Sequence, residues 1–157
     1  MAASPTCGPS RCSFMSGLRP DTTGVLQNGL PVQHKLKDVV TLPQLFRNNG
    51  YFAARVGKIY HLGIPNEVGK PGPDDPASWD TTFNPPGNEF PKDEDEYNPV
   101  PKNGQSFRRV ILKGDGRDQH DFQAADEAIR ILREKRDKPL FLALGFIRPH
   151  VPEVAPQ

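Results

Sequence analysis

Apolar residues near the end of the chain follow two different periods, and each period predicts a different element. Four of them recur at helical spacing, namely Phe122, Ala125, Ile129 and Leu132. They predict a helix over residues 119–135 that buries this apolar stripe, with Asp118 as its cap. The run LFLALGF at 140–146 is continuously apolar, which is typical of a strand buried on both faces of a parallel sheet. The tail, IRPHVPEVAPQ, is predicted to be a loop.

Shorter patterns predict a helix and a strand in the first third of the chain. TLPQ at 41–44 is a capping box, and the apolar face of the helix that it opens would consist of Leu42, Leu45 and Phe46. Gly50 ends this helix, and residues 51–56 have the composition of a strand.

Another short helix is predicted close to the N-terminus. Pro9 suits a first helical turn, where a missing N–H costs nothing, and Gly17 is a natural stop. Phe14 and Met15 can then face a core. The thiol of Cys7 would lie at the start of this helix.

The segment 62–117 differs from the rest of the chain. It is rich in Pro, Gly, Asn and Asp, and it shows no sustained period. Only residues 107–112 have the composition of a strand. A compact domain carries so long an irregular region mainly where the region covers a site.

The alternation of helices and strands predicts an α/β fold with a mostly parallel sheet flanked by helices. Ligands bind such sheets beyond the carboxyl ends of the strands. Three basic side chains directly follow predicted strands: Lys58, His61 and His150. Each of them alone is more often a structural or surface residue, but their shared position favours a site. His34 and His120 lack this position and are predicted to be structural or exposed.

Charge and composition argue against several functions. The 157 residues include 20 Lys and Arg and 19 Asp and Glu, with a net charge of +1 and no basic stripe, so no nucleic-acid partner is expected. No apolar run reaches the roughly 18 residues of a transmembrane helix. Cys7 and Cys12 form neither a disulfide framework nor a zinc pattern, and Cys12 is predicted to be a small buried residue.

Cys7 is the residue whose position most clearly indicates chemical reactivity. A thiol at a helix N-terminus is stabilised as an anion, and the guanidinium of Arg11 one turn later adds to that stabilisation. The residues alone leave a nucleophile and a structural cysteine as alternatives. A cysteine phosphatase is disfavoured, because its phosphate loop needs a longer separation between cysteine and arginine, and more glycines.

Several short motifs occur in order along the chain. They are CGPSR at 7–11, Ser16-Gly17, Arg19-Pro20, Leu42-Pro43, NGY at 49–51, VGKIYH at 56–61 and RPHVP at 148–152. The first matches the C-x-P-S-R signature of the type I sulfatases, so the chain resembles that family. The whole set is most like the iduronate-2-sulfatase branch.

This resemblance implies an alkaline-phosphatase-like fold and the hydrolysis of a sulfate ester, in this branch on a sulfated carbohydrate. It implies that a formylglycine-generating enzyme converts Cys7 to formylglycine, whose hydrate attacks sulfur, with Ca²⁺ as metal cofactor. Arg11 and His61 would be catalytic, Lys58 and His150 would bind the substrate, and the formylglycine made from Cys7 would be a metal ligand.

The resemblance also implies that residues 1–157 belong to a larger N-terminal catalytic domain and are incomplete at both ends. The family's paired aspartates would precede Met1, and further metal ligands would follow Gln157, so we expect the isolated chain to be inactive. Complete proteins of this kind are periplasmic, secreted or lysosomal. A phosphate or phosphonate ester hydrolase of the same superfamily and a non-catalytic remnant stay open as alternatives.

Overall fold

The computed structural model describes residues 3–30, 32–88, 96–98, 109–134 and 137–157. Its helices are α1 (Cys7–Ser16), α2 (Pro20–Thr23), α3 (Val32–Lys35), α4 (Leu42–Asn48) and α5 (His120–Glu134). Its strands are β1 (Phe52–Gly57), β2 (Thr81–Phe83), β3 (Glu96–Asn98), β4 (Arg109–Leu112), β5 (Leu140–Gly145) and β6 (Glu153–Pro156). Every described helix is too short or too polar to cross a membrane.

The main sheet consists of three parallel strands in the order β2-β1-β5. The register pairs Phe52 with Leu140 at one end of the central pair of strands and Gly57 with Gly145 at the other. Parallel pairing brings the carboxyl ends of all three strands to the same edge. The predicted α/β architecture with a mostly parallel sheet is therefore confirmed.

Helices cover both faces of this sheet, because side chains alternate along β1. Ala53 packs on one side with Cys12 and Met15 of α1. Ala54 and Val56 pack on the other side against α5. The result is a three-layer arrangement with two apolar cores.

Two of the local predictions of helix ends are confirmed. Gly17 ends α1 in the left-handed conformation, with φ of 72°. The capping box is present at α4, where the backbone N–H of Thr41 donates to Gln44 Oε1 at 3.4 Å. The short-range chemistry of caps needs no tertiary partner, which is why the sequence alone reveals it.

The predicted buried face of α5 is wrong. Phe122, Ile129 and Leu132 are 37%, 44% and 53% exposed, and the buried residues are His120, Ala124, Ala128 and Ile131. Small alanines let α5 approach the alanine-rich strand β1 closely, so the face with small side chains packs on the sheet. The apolar face of α4 is also wrong in part, because Leu42 and Leu45 are exposed, whereas Phe46 stacks on Phe141 at 4.7 Å.

The strand predicted at 140–146 exists as β5, but it is not buried on both faces. Within the described part of the chain β5 forms an edge of the main sheet, and Leu144 is exposed. A continuous apolar run indicates a strand, but its neighbours decide its burial.

The C-terminal tail was predicted to be a loop, and this is wrong in part, because Glu153–Pro156 form β6. This strand pairs in parallel with β4, which pairs antiparallel with β3 in a second small sheet. Residues 109–112 of the strand predicted at 107–112 are confirmed, and the other two lie outside the described residues. The region 62–117 also contains β2, whose three residues are too few to give a recognisable sequence pattern.

Candidate active site

Cys7 is the first residue of α1, and Thr6 precedes it as the N-cap. The next free backbone donor, the N–H of Gly8, is bound by Asn28 Oδ1 at 2.7 Å. The thiol is half-buried. The first turn therefore presents Cys7 at the positive end of a helix and holds the backbone with the side chain of Asn28.

Arg11 connects this helix to the carboxyl edge of the sheet. Its Nε donates to Cys7 Sγ at 3.1 Å. Its Nη1 donates to the carbonyl oxygens of Lys58 and Ile59 at 2.9 Å and 2.8 Å. One guanidinium thus fixes the position of the thiol relative to the segment that follows β1.

Two glycines let the chain turn at this edge. The N–H of Lys58 donates to the carbonyl oxygen of Gly145 at 2.7 Å. A Cβ on Gly57 would collide with that oxygen, and a Cβ on Gly145 would collide with the carbonyl oxygen of Lys58. Gly57 also has φ of 72°, a conformation that favours glycine. This close approach directs the residues after β1 towards α1.

Lys58 is unusually buried for a lysine, with 3% of its surface exposed. Burial lowers the pKa of its ammonium, the charge of Cys7 opposes that change, and Arg11 lowers the pKa further. Lys58, Arg11 and Cys7 form the polar wall of a cleft of about 620 Å³, here called the site cleft. Apolar side chains, including Phe14 and Phe146, line the rest of it.

His61 lies close to the same cations. Burial and the charge of Lys58 lower the pKa of its imidazole, whereas Glu67 raises it. The charges of His150 and Arg11 also lower it. Its Nδ1 is buried and has no hydrogen-bond partner in the described part of the chain. A neutral imidazole can accept a proton from a nearby hydroxyl, which is the property that a general base needs.

His150 lies in the loop after β5, close enough to Lys58 and Arg11 for their charges to act on its imidazole. Its Nδ1 donates to the carbonyl oxygen of Val151 at 2.6 Å, which identifies this nitrogen as the protonated one in the neutral ring. Burial lowers the pKa of His150, the Val151 bond opposes this, and the charges of Lys58, Arg148 and Arg11 lower it further. Its Nε2 is then the nitrogen left to contact a ligand.

The structure thus brings the five predicted site residues to one edge of the sheet. Cys7, Arg11 and Lys58 are linked by contacts, and His61 and His150 interact electrostatically with Lys58 and Arg11. Their functional roles stay predictions. Two histidines were predicted to be structural or exposed. His120 is buried and hydrogen-bonded, and the side chain of His34 lies outside the described part of the structure.

Three polar residues around the site could not be identified as site residues from the sequence. Asn28 holds the N-terminus of α1, and Asn84 and Asp121 belong to a hydrogen-bonded network behind the loop that carries His150. Asn28 and Asn84 lie in irregular segments without a motif. Asp121 lies in the predicted helix, and only its place in the first turn could have singled it out.

The residues near Cys7 do not form a calcium site by themselves. Calcium requires about six to eight oxygen ligands. In the described residues no three His, Cys, Asp or Glu side chains are grouped for a metal ion, and the charged groups near Cys7 are the cations Arg11 and Lys58. These residues alone therefore do not fit a calcium ion.

The chain belongs to the sulfatase family, whose model, described as Sulfatase, matches residues 1–157. This confirms the resemblance that the motifs indicate. Domains of this family have the alkaline-phosphatase-like fold, and the parallel sheet flanked by helices agrees with it.

Individual relatives are similar over nearly the whole chain. A sulfatase of Formosa agariphila is 30% identical over 98% of this chain, and iduronate 2-sulfatase of Mus musculus is 33% identical over 93% of it. Choline-sulfatase of Rhizobium meliloti is 28% identical over 98%. The chain spans 31%, 27% and 31% of the lengths of these three relatives.

Proposed function

We propose that the protein containing this chain hydrolyses sulfate esters, with a formylglycine made from Cys7 as its nucleophile. The observation that supports this most strongly is the contact of Arg11 with Cys7 Sγ at 3.1 Å, within the CGPSR sequence. In this proposal the sulfur atom marks the place of the hydroxyl oxygens of the hydrated aldehyde.

The modification comes first. A formylglycine-generating enzyme, using an external two-electron oxidant such as dioxygen, oxidises the Cys7 side-chain carbon to an aldehyde; the carbon–sulfur bond breaks, the sulfur leaves as hydrogen sulfide, and an oxygen atom takes its place. Water then adds to the aldehyde to give a carbon with two hydroxyl groups. One hydroxyl loses its proton and attacks the sulfur of the ester, and the bond from sulfur to the alcohol oxygen breaks. The helix N-terminus and Arg11 stabilise the attacking oxyanion.

Release uses the second hydroxyl of the same carbon. His61 takes its proton, the C=O bond re-forms, and the bond between that carbon and the sulfate oxygen breaks. Free sulfate leaves and the aldehyde is regenerated. Burial and neighbouring cations lower the pKa of His61 from 6.5, so the imidazole is neutral near pH 7, which suits a base.

Binding of the sulfate group is assigned to Lys58 and His150. Lys58 is a point charge that holds one sulfate oxygen. His150 contacts the sulfate or the leaving oxygen through Nε2 as an imidazolium, because Nδ1–H is bound to Val151 and only a ring protonated on both nitrogens has a second donor. The negative charge of the bound sulfate group favours this protonation. A donor at this position offsets the negative charge that develops on the leaving alcohol. Calcium, which the resemblance implies, would need ligands from outside the described residues.

A sulfated sugar is the substrate that we propose, on the similarity to iduronate 2-sulfatase. The name of the choline-sulfatase relative describes a different alcohol, so similarity to the family alone leaves the leaving group open. A phosphate or phosphonate ester hydrolase remains the second candidate, because Lys58 and Arg11 would also attract a more highly charged phosphate.

The proposal is tested by co-expression with a formylglycine-generating enzyme, followed by tryptic digestion and mass spectrometry. Trypsin cleaves after Arg11, so Cys7 and Cys12 fall in different peptides. The peptide with Cys7 should lose about 18 Da, the difference between a CH₂SH group and an aldehyde. Cys12, which is buried and lacks the motif, should stay unchanged. An unmodified Cys7, where a control sulfatase is converted, would contradict the proposal.

A further inference from the structure

Asp121 joins α5 to the loop that carries His150. Its Oδ1 accepts a hydrogen bond from the backbone N–H of Ile147 at 2.8 Å, and its Oδ2 accepts one from the N–H of Arg148 at 3.0 Å. Both donors lie two and three residues after the last residue of β5, Gly145. One carboxylate thus binds two successive N–H groups that the strand leaves without sheet partners.

Asp121 is itself held by a network behind the site. His120, which is fully buried, contacts Asp121 Oδ1 through Nδ1 at 3.1 Å and Asn84 Oδ1 through Nε2 at 2.9 Å. Asn84 follows β2, and its side-chain amide donates to the carbonyl oxygen of Lys70. The His120 ring also packs beside Gly57 at the end of β1. The network therefore contacts the carboxyl ends of all three strands of the main sheet.

Asp121 is ionised in this environment. Burial raises the pKa of its carboxyl, but the hydrogen bonds from His120, Ile147 and Arg148 together hold it below its usual value. Asp121 also lies in the first turn of α5, where the helix dipole favours a negative charge. A charged acceptor binds two backbone donors more strongly than a neutral amide would.

We propose that Asp121 is a positioning residue, which fixes the loop after β5 so that His150 lies beside Lys58 and Arg11. The network through His120 and Asn84 sets the direction of the Asp121 carboxylate. This inference rests on the proposed function for its catalytic meaning, but the placement of His150 can be measured independently of activity. Asp121 acts through the loop and contacts no reacting atom.

The test replaces Asp121 with asparagine, which preserves the size of the side chain but removes the charge and one of the two acceptors. The readout is the pKa of the His150 imidazole, measured by NMR on the full chain, with its resonance assigned from a His150→Gln variant. Burial lowers this pKa, the bond to Val151 opposes that effect, and Lys58, Arg148 and Arg11 lower it further. A released loop exposes His150 and moves it away from Lys58 and Arg11, whereas Arg148 lies on the same loop and moves with it. The pKa should therefore rise towards 6.5.

The direction of the change separates positioning from a simple charge effect. Loss of a nearby carboxylate without movement would lower the pKa of His150, because the carboxylate stabilises the imidazolium. A lower or unchanged pKa in Asp121→Asn would therefore overturn the proposal. The matched control is Asp126→Asn, an exposed aspartate on the same helix, which should leave the pKa of His150 unchanged.

A second variant decides the question if Asp121→Asn does not fold. Asn84→Ala removes an acceptor of His120 and leaves Asp121 intact. It should produce a smaller rise in the pKa of His150, and the absence of a rise would contradict the proposal. In active protein, Asp121→Asn should lower kcat/KM about tenfold through misplacement of His150. If the unmutated protein hydrolyses no sulfate ester, the proposed function fails, and the NMR titration still tests the positioning role.

Discussion

The backbone N–H of Lys58 donates a 2.7 Å hydrogen bond to the carbonyl oxygen of Gly145, where β1 and β5 end side by side. The same residue, Lys58, accepts a hydrogen bond from Arg11 through its own carbonyl oxygen. The contact between the two strand ends and the position of α1 are therefore coupled through one residue. The geometry of the candidate site depends on that coupling.

The close contact of the strand ends predicts that Gly57→Ala is strongly destabilising. The added Cβ meets the carbonyl oxygen of Gly145, and positive φ adds strain, so we expect a loss of about 3 kcal/mol in unfolding free energy. Gly50→Ala is the control, because Gly50 has φ of 84° but open space around it. It should lose only about 1 kcal/mol. Chemical denaturation measures both, and equal losses would show that the strand ends have room for a side chain.

Arg11 is predicted to be required for activity, and a lysine at this position should not replace it. Arg11→Lys keeps the charge but cannot reach Cys7 Sγ and two carbonyl oxygens together, as the guanidinium does. We expect kcat/KM to fall about 10²-fold. Arg19→Lys, at an exposed position eight residues later, is the matched control and should retain full activity. Sulfate-ester hydrolysis by the converted protein is the measurement, and an active Arg11→Lys variant would remove Arg11 from the site.

Lys58 should contribute to function at a cost in stability. Its burial lowers the pKa of the ammonium, which means that the folded protein pays a desolvation penalty for the charge. Lys58→Met retains the apolar stem and removes the charge, so Tm should stay equal or rise while kcat/KM falls about 10²-fold. Lys37→Met, whose side chain is exposed, should change neither quantity by much. A stability loss in Lys58→Met without a loss of activity would make Lys58 a structural residue.

His61 and His150 predict a dependence of stability on pH. Both have pKa values lowered from 6.5 by burial and by neighbouring cations, so the folded protein binds fewer protons than the unfolded chain. Their contribution is fully present above pH 6.5 and is lost as the pH falls through the pKa values of the folded protein. Urea unfolding at pH 7.5 and about pH 5.5 measures this loss. A His61→Asn, His150→Asn double variant should lose less stability over the same interval, and an identical loss would contradict the assignment.

The parts of the fold that the sequence reveals are those set by local chemistry. The capping box at Thr41, the stop at Gly17 and the apolar run of β5 each act within a few residues. The buried face of α5 was missed because its alanines carry little hydrophobic pattern, although they pack closest to the sheet. The strand β6 was missed because a four-residue strand exists only through its partner β4.

The candidate site was predictable for a different reason. Lys58, His61 and His150 follow strands, and parallel strands have their carboxyl ends at one edge of the sheet. The order of predicted strands was therefore enough to place these three residues at the same edge. Asp121 could not be identified in this way. Its role depends on two backbone donors 26 and 27 residues away in sequence, and no local pattern encodes that contact.

The central claim is that conversion of Cys7 creates the nucleophile of a sulfate-ester hydrolase, and one measurement tests it most directly. The complete protein is prepared with several levels of formylglycine-generating enzyme. The initial rate of aryl sulfate hydrolysis is then plotted against the fraction of Cys7 that is converted. Cys7→Ala is the blank, and Cys12→Ala is the matched control. The rate should rise in proportion to conversion, vanish in Cys7→Ala, persist in Cys12→Ala, and exceed the rate on the matching aryl phosphate. A rate that is independent of conversion, or a faster reaction with the phosphate ester, would contradict the account.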